Sequence, residues 1–391
     1  MNILFLLTNY PGFGGIEKVT TYIASYLYNK GYNISILSYG VNAPSLIASI
    51  PKGIILNFVP ELTNYVSRKN IEYIKQYLKE HDFDFVVYQD SYAPTEHLFN
   101  EIDYPWNKKL IVVEHNSPLF AFKGLNGCFY YKCGLKFLIT RVLKYPYSIF
   151  VIYLRSSKRH SMLFHKCRRY ILLSETFKRE LKYLIPHMDE KKILSIANPL
   201  TITCSFKSYL ALKKKQILFV GRLTDQKGIN FLLPIWKEFS KYNKDGWNLV
   251  ILGEGPQKEY VETYINKEHL EKVRLCSPTL EIEKYYEESS ILVMTSIFEG
   301  FGLVLTEAMS RGCIPIAFDS FKSVHDIIED GINGFLIQPY NLKQYVSCLV
   351  NLTNDDVKFR SMAQTVQASI KKFDLNIIGS CWNKLFLDLS K

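Results

Sequence analysis

ILVMTSIFEGFGLVLTEAMSRGCIPIAFD, from Ile291 to Asp319, reads as strand, loop, helix, turn and strand in one unbroken run. ILVMTS is an apolar run of the kind found in a strand buried on both faces. Gly300 and Gly302 punctuate the loop after it. Leu303–Ser310 reads as a helix, stopped by Gly312. IPIAFD then supplies the next strand. Strand, helix and strand in this order make a right-handed crossover unit, which calls for a parallel sheet.

The same alternation extends in both directions. Toward the C-terminus, GFLIQP adds a strand, Asn354–Lys372 reads as helical, and Leu375–Leu389 is a final helix with no strand after it. Toward the N-terminus, VRLCS, NLVILGEG (248–255) and QILFVGRL (216–223) are strands, separated by helices over Gly228–Tyr242 and Pro256–His269. Ahead of the lysine-rich LKKKQ (212–216) lies a second series: ILFLLT (3–8), NISILSY (33–39), IILNFV (54–59), FDFVVYQ (83–89), LIVVEH (110–115), RYILLS (169–174) and ILSIAN (193–198). Ile16, Val19, Ile23 and Leu27 recur at helical spacing and Gly31 closes that helix. Further helices fall at Ile71–Glu80 and Glu175–Leu184. At 391 residues the chain is too long for one core. The expected fold class is α/β, with two doubly wound, Rossmann-like parallel-sheet domains at 1–205 and 206–372, followed by a C-terminal helix at 373–391. Ligands of such sheets bind at the carboxyl ends of the strands, and both sets of strand ends can face one cleft.

Composition narrows the class. Hydrophobic content of 48% and charged content of 22% describe a soluble globular protein. MNILFLLTNYPGFGG begins apolar but has no basic segment before its apolar run, so it reads as a buried first strand and not a secretory leader. The longest uncharged apolar stretch, YPYSIFVIYL between Lys144 and Arg155, is too short to span a membrane. The eight cysteines are scattered without a CxxC pair, which argues for a reducing cytosol and against a zinc site. The expected location is therefore cytoplasmic. The net charge of +11 is concentrated between Glu114 and Glu175, where there is no acidic residue and where Lys158, Arg159, Arg168 and Arg169 are among the cations. Aromatic residues are interleaved with them. Such a segment suits an anionic membrane, a nucleic acid or an anionic substrate, or is simply a solvated basic face.

The residues that carry chemistry sit just after strands. GRLTDQKG places Arg222 and Lys227 after one strand, with Gly228 opening a helix. Two cations with a helix N-terminus make an anion site suited to a phosphate or diphosphate. GEGP (253–256) is a strand-to-helix turn in which Gly253 either lets the backbone approach a ligand or only makes the turn. Glu299 lies before the helix at Leu303, and Glu307 lies inside it. The helix tip between them offers the N–H groups of Gly302 and Leu303 to an anion. A ligand with hydroxyls at both ends and an anionic middle fits that array, as a nucleotide-diphosphate sugar is built; two carboxylates that only complement a helix are the plainer reading. In the first half, Gly12, Gly14 and Gly15 do not form GxGxxG, and NISILSYG ends without the acid that would hold a dinucleotide ribose. A dehydrogenase is therefore disfavoured. His115 and Asn116 follow the strand LIVVE, and Asn198 follows ILSIA.

Together GFGG, EHN, NP, GRLTDQKG, GEGP, EGFGLVLTEAM and DGINGFL resemble the retaining glycosyltransferases of family four, which have the GT-B fold. The most specific element is two glutamates with seven residues between them, Glu299 and Glu307, downstream of GRL and KG. The resemblance implies transfer of a hexose or N-acetylhexosamine from a nucleotide-diphosphate sugar, expected to be UDP-linked, to a hydroxyl of a growing, lipid-linked glycan in surface polysaccharide biosynthesis. Arg222 and Lys227 would bind the diphosphate. Glu299, Gly300, Phe301, Gly302 and Leu303 would hold the donor sugar, with Gly253 nearby, and Glu307 the ribose. Gly14 and Gly15 would approach from the first domain, and His115 would touch the transferred sugar. Gly14, His115, Asn116 and Asn198 would line the acceptor side. Glu299, His115, Arg222 and Lys227 are thus the catalytic candidates. No cofactor and no metal are expected, and the final helix would return to the first domain. The stretch FDSFKSVHDII lacks, at Ser320–Val324, the glycine or proline that many relatives carry there. The basic segment 119–169 is expected to touch the anionic inner leaflet of the membrane peripherally. No nucleic acid is expected, because no nucleic-acid motif accompanies the charge. A nucleotide-sugar epimerase of the same fold and a non-catalytic sugar-nucleotide-binding protein are the alternatives; a phosphorylase would need a pyridoxal lysine and a longer chain.

Overall fold

The structure is a computed structural model. It describes the chain apart from residues 63, 66, 91–94, 96, 128–134 and 203–208, with backbone only for 124–127 and 135–144. Two compact units emerge: Met1–Leu119 with Tyr145–Thr201 and Phe373–Lys391, and Phe120–Lys144 with Ile202–Lys372. The expected boundary at 205/206 lies outside the described residues. The basic segment 119–169 is shared between the units at 144/145.

The first unit is built on a seven-stranded sheet. Its strands are β1 (Asn2–Leu7), β2 (Asn33–Ser38), β3 (Ile55–Phe58), β4 (Phe85–Tyr88), β5 (Leu110–Glu114), β6 (Arg169–Leu172) and β7 (Ile193–Ser195). The order is β3-β2-β1-β4-β5-β6-β7, and the paired strands run parallel. The strands of the middle of the sheet are almost wholly buried, as their unbroken apolar runs require. The final helix, Leu375–Leu389, belongs to this unit and packs on helix Gly15–Asn29. Asn383 Oδ1 accepts from Tyr32 Oη at 2.7 Å, and Phe386 meets the Phe85 ring at 5.3 Å. The helix therefore buries its apolar face on the sheet layer without needing a strand of its own.

The second unit is built on a six-stranded sheet: β8 (Lys214–Val220), β9 (Asn248–Leu252), β10 (Val273–Cys276), β11 (Ser289–Met294), β12 (Ile314–Phe318) and β13 (Phe335–Ile337). Its order is β10-β9-β8-β11-β12-β13, again with parallel pairs. The helix expected over Leu303–Ser310 has those bounds. It closes with Gly312 N–H on Met309 O at 2.9 Å and Cys313 N–H on Ala308 O at 3.0 Å, a paired C-terminal cap.

Both sheets reverse direction once. In the first, the chain winds outward through β2 and β3, then returns to place β4 beside β1. In the second, β11 returns beside β8. At such a reversal the two following loops diverge and leave a crevice at the strand ends. The two candidate sites occupy these crevices.

Candidate functional site

In the second unit, the loops after β8 and β11 are tied together. Ile297 N–H donates to Gln226 O at 2.8 Å, and Gln226 Nε2 donates to Phe298 O at 3.2 Å. Gly228 caps helix Ile229–Ser240 with φ of 67°, and a Cβ there would stand 1.9 Å from Thr295 O. Only glycine tolerates both demands. The threonine hydroxyl donates back to Lys227 O at 3.1 Å and Gly228 O at 3.0 Å.

This scaffold brings two predicted site residues into contact. Lys227 Nζ lies 2.6 Å from Glu299 Oε1, and Ser296 Oγ donates to the same oxygen at 2.7 Å. Both members of the ion pair are largely buried, at 16% and 10% side-chain exposure. Arg222 stands apart: it is exposed, and its guanidinium has no ion pair or hydrogen bond among the described residues. The N–H groups of Gly302 and Leu303, at the tip of the following helix, likewise carry no hydrogen bond among the described residues. A free guanidinium and free helix-tip amides around a crevice are what an anionic ligand requires.

Glu307 lies elsewhere than on the open loop. It is 2% exposed, and Tyr286 Oη donates to its Oε2 at 2.8 Å. Burial, with Glu307 beside it, holds the Tyr286 phenol well above its ordinary pKa, so it stays a donor. Gly253 serves the fold: a Cβ there would stand 2.0 Å from Gly221 O, so the turn after β9 lies directly on the loop after β8. Leu223 N–H donates to Glu254 O at 2.9 Å in the same contact.

Several residues that hold this loop carry no motif signal. Ser323 Oγ donates to Gly300 O at 2.9 Å and Ser320 Oγ to Ser296 O at 2.6 Å. The Phe321 ring, 2% exposed, would lie 3.4 Å from a Cβ at Gly302. The loop that lacks a glycine is thus a brace for Gly300–Gly302. Among the described residues no group of three or more His, Cys, Asp or Glu side chains is gathered as a metal would need.

In the first unit, Gly14 caps helix Gly15–Asn29. The Glu17 carboxylate lies over that turn, with Oε2 2.2 Å from where a Gly14 Cβ would be. His115 follows β5 and is 7% exposed; its Nε2 contacts Gln89 Oε1. Burial lowers its pKa to about 3, so the ring is neutral near pH 7. Beneath it Glu114 Oε2 accepts from Tyr170 Oη at 2.9 Å, and His160 Nδ1 lies 2.9 Å from that hydroxyl. Ser117 Oγ donates to Glu180, pinning the far side of the loop. Asn116 is part-exposed, with its N–H 3.4 Å from Glu114 Oε1. Asn198 is buried after β7 and has no hydrogen bond to these residues among the described ones. Thr8 donates to Asp90 from its N–H and, at 2.6 Å, from its Oγ1, joining the ends of β1 and β4.

Two parallel, Rossmann-like sheets, each with a polar crevice at its reversal, define the GT-B class of glycosyltransferase. The model of Glycosyltransferase Family 4 matches residues 13–202, and that of Glycosyl transferases group 1 matches 203–370. The chain belongs to the family-four-type GT-B glycosyltransferases and is a transferase. An uncharacterized glycosyltransferase of Haemophilus influenzae is 28% identical over 97% of this chain and 98% of its own length. The amylovoran biosynthesis glycosyltransferase AmsD of Erwinia amylovora is 33% identical over 46% of this chain and 50% of its own. A variant of S. aureus TarM, solved in complex with Fondaparinux, alpha-GlcNAc-glycerol and UDP, superposes with a TM-score of 0.74 at 15% identity, covering 99% of this chain and all of that one. That likeness shows the fold.

Proposed function

We propose that the protein is a retaining glycosyltransferase that moves a hexose or N-acetylhexosamine from a UDP-linked donor to a hydroxyl of a growing, lipid-linked glycan. The observation that carries this reading is the crevice at β8 and β11. It holds the Lys227–Glu299 pair, with Arg222 and helix-tip amides at Gly302 and Leu303 that have no partner among the described residues. The UDP and alpha-linked sugar in the TarM complex, and the polysaccharide pathway in the name of AmsD, support the donor and product class.

In this reading Arg222 and the helix tip bind the diphosphate, and Lys227 neutralises charge as it leaves. That is preorganised electrostatic stabilisation, and no metal is invoked. The acceptor hydroxyl attacks the face of the anomeric carbon that the diphosphate vacates, and a leaving-group oxygen takes its proton. Glu299, held by Lys227 and Ser296, positions the sugar. Glu307, held by Tyr286, serves the ribose. His115, neutral in the first unit, contacts the sugar, with Asn116 on the acceptor side.

The basic aromatic segment supports peripheral contact with an anionic leaflet from the cytoplasmic side. Tyr147, Phe150 and Leu154 are 71%, 58% and 50% exposed on helix Leu135–Lys166, near Arg155, Lys158 and Arg159. No helix among the described residues is long and apolar enough to cross a membrane. Lipid-linked acceptors would be met at such a surface.

The test is transfer from a panel of radiolabelled sugar nucleotides, with Glu299→Gln and Arg222→Ala as controls. The reading predicts loss of transfer in both variants and an anomeric configuration retained in the product. Wild-type rates in both would overturn the site. Sedimentation with phosphatidylglycerol vesicles, with and without charge reversal at Lys158, Arg159, Arg168 and Arg169, tests the membrane contact; binding indifferent to those charges and to salt counts against it.

A further inference from the structure

Gln89 is 1% exposed and sits one residue beyond β4, directly beside His115 at the end of β5. Its N–H continues the sheet by donating to Leu6 O at 3.1 Å, which fixes where the side chain begins. Its amide oxygen is engaged by His115 Nε2. Its amide nitrogen is buried and has no hydrogen-bond partner among the described residues. A buried amide N–H without an acceptor costs about 1–3 kcal/mol. The amide oxygen answers His115, but the amide nitrogen answers nothing among the described residues, so packing and the histidine account for only half of this side chain.

The contact also decides the histidine's chemistry. In this orientation the amide oxygen faces the ring and accepts, so His115 Nε2 carries the proton. The neutral ring then presents Nδ1 as a bare lone pair. Nδ1 has no hydrogen-bond partner among the described residues, and the residue is 7% exposed. One acceptor, His115 Nδ1, and one donor, Gln89 Nε2, therefore belong to two side chains in direct contact at the strand ends. That pair matches a hydroxyl and an ether or hydroxyl oxygen of one sugar ring.

We propose that Gln89 is a positioning residue that holds His115 in its Nε2–H tautomer and donates its own amide N–H to an oxygen of the sugar bound beside His115. The proposal rests on the reading of His115 as a sugar contact. It adds a residue that no motif marks, and it divides into a positioning half and a ligand half that are tested separately.

The first measurement is a two-dimensional nitrogen spectrum of the full chain labelled with 15N-histidine, the His115 signal being the one lost in His115→Gln. The Nε2–H tautomer is expected in the wild type at pH 7 and in Gln89→Glu, which keeps an acceptor oxygen. It is expected to be lost in Gln89→Leu. The second is calorimetric titration with UDP, UDP-glucose and UDP-N-acetylglucosamine. Both variants should bind UDP as the wild type does and should lose about tenfold in affinity for the sugar nucleotide that the wild type prefers, the value of one hydrogen bond. An Nδ1–H tautomer in the wild type overturns the positioning half. Unchanged sugar-nucleotide affinity in both variants overturns the ligand half. If His115→Ala also leaves that affinity unchanged, the sugar reading of His115 falls, while the tautomer result still judges Gln89. Thermal melts of each variant confirm that it is folded.

Discussion

Lys227 Nζ and Glu299 Oε1 are 2.6 Å apart although 72 residues separate them in the chain. The pair joins the loop after β8 to the loop after β11, so the lysine of one motif and the glutamate of the other are held as one buried ion pair. Arg222, five residues before Lys227, has no such partner among the described residues. The two cations of one motif therefore have different physical roles, which substitutions can separate.

Arg222→Ala should lower kcat/KM for the sugar nucleotide by about 10²–10³ and leave Tm unchanged, because an exposed, unpaired side chain adds little to stability. Lys227→Met should lose similar activity and also destabilise the unit by about 1–3 kcal/mol, because it takes the cation from a buried Glu299 carboxylate and leaves it the Ser296 hydroxyl. Steady-state kinetics and thermal melts on both variants check this. Equal melting shifts would show that the ion pair carries no structural weight.

Gly228→Ala is expected to cost about 3 kcal/mol or more, by combining a left-handed backbone with a clash against Thr295 O. For a unit of this size that lowers Tm by roughly 6–12 °C. Urea unfolding followed by intrinsic fluorescence measures it; a variant as stable as the wild type would mean that the two loops do not meet as described.

Tyr286→Phe removes a hydroxyl that donates to Glu307 Oε2. The buried carboxylate then lacks that donor, at a cost of about 1–3 kcal/mol. If Glu307 serves the ribose, the donor KM rises while kcat changes little, since the contact is made equally in ground and transition states. Replacing UDP-sugar by a 2′,3′-dideoxyribose analogue should abolish the difference between variant and wild type.

The first unit should lose stability in acid through its buried imidazoles. Burial holds both His115 and His160 at about 3, against 6.5 in an unfolded chain. Between those values the unfolded chain binds more protons, so stability rises with pH and is lost as pH falls below about 6.5. Melts from pH 8 to pH 5 should show this slope, and His160→Gln should flatten it. An identical slope in the variant would assign the acid sensitivity to other groups.

The alternation of strands and helices was legible because a strand buried on both faces has to be an unbroken apolar run, whatever its neighbours. Helix Leu303–Ser310 was legible to the residue because glycines stand at both its ends, and a left-handed cap is a local demand. The family motifs were legible for the same reason: each is a short strand-end loop. The partners were not. Tyr286 reaches Glu307 across 21 residues, Ser323 reaches Gly300 across 23, and Gln89 reaches His115 across 26. Propensity and periodicity act within a turn or two of chain. Which loop lies beside which depends on strand order, and that is set by how β4 and β11 return across their sheets. The sequence by itself determined two parallel sheets and the residues at their strand ends. Only the tertiary structure decided that Lys227 answers Glu299, that Arg222 has no partner among the described residues, and that Gln89 faces His115.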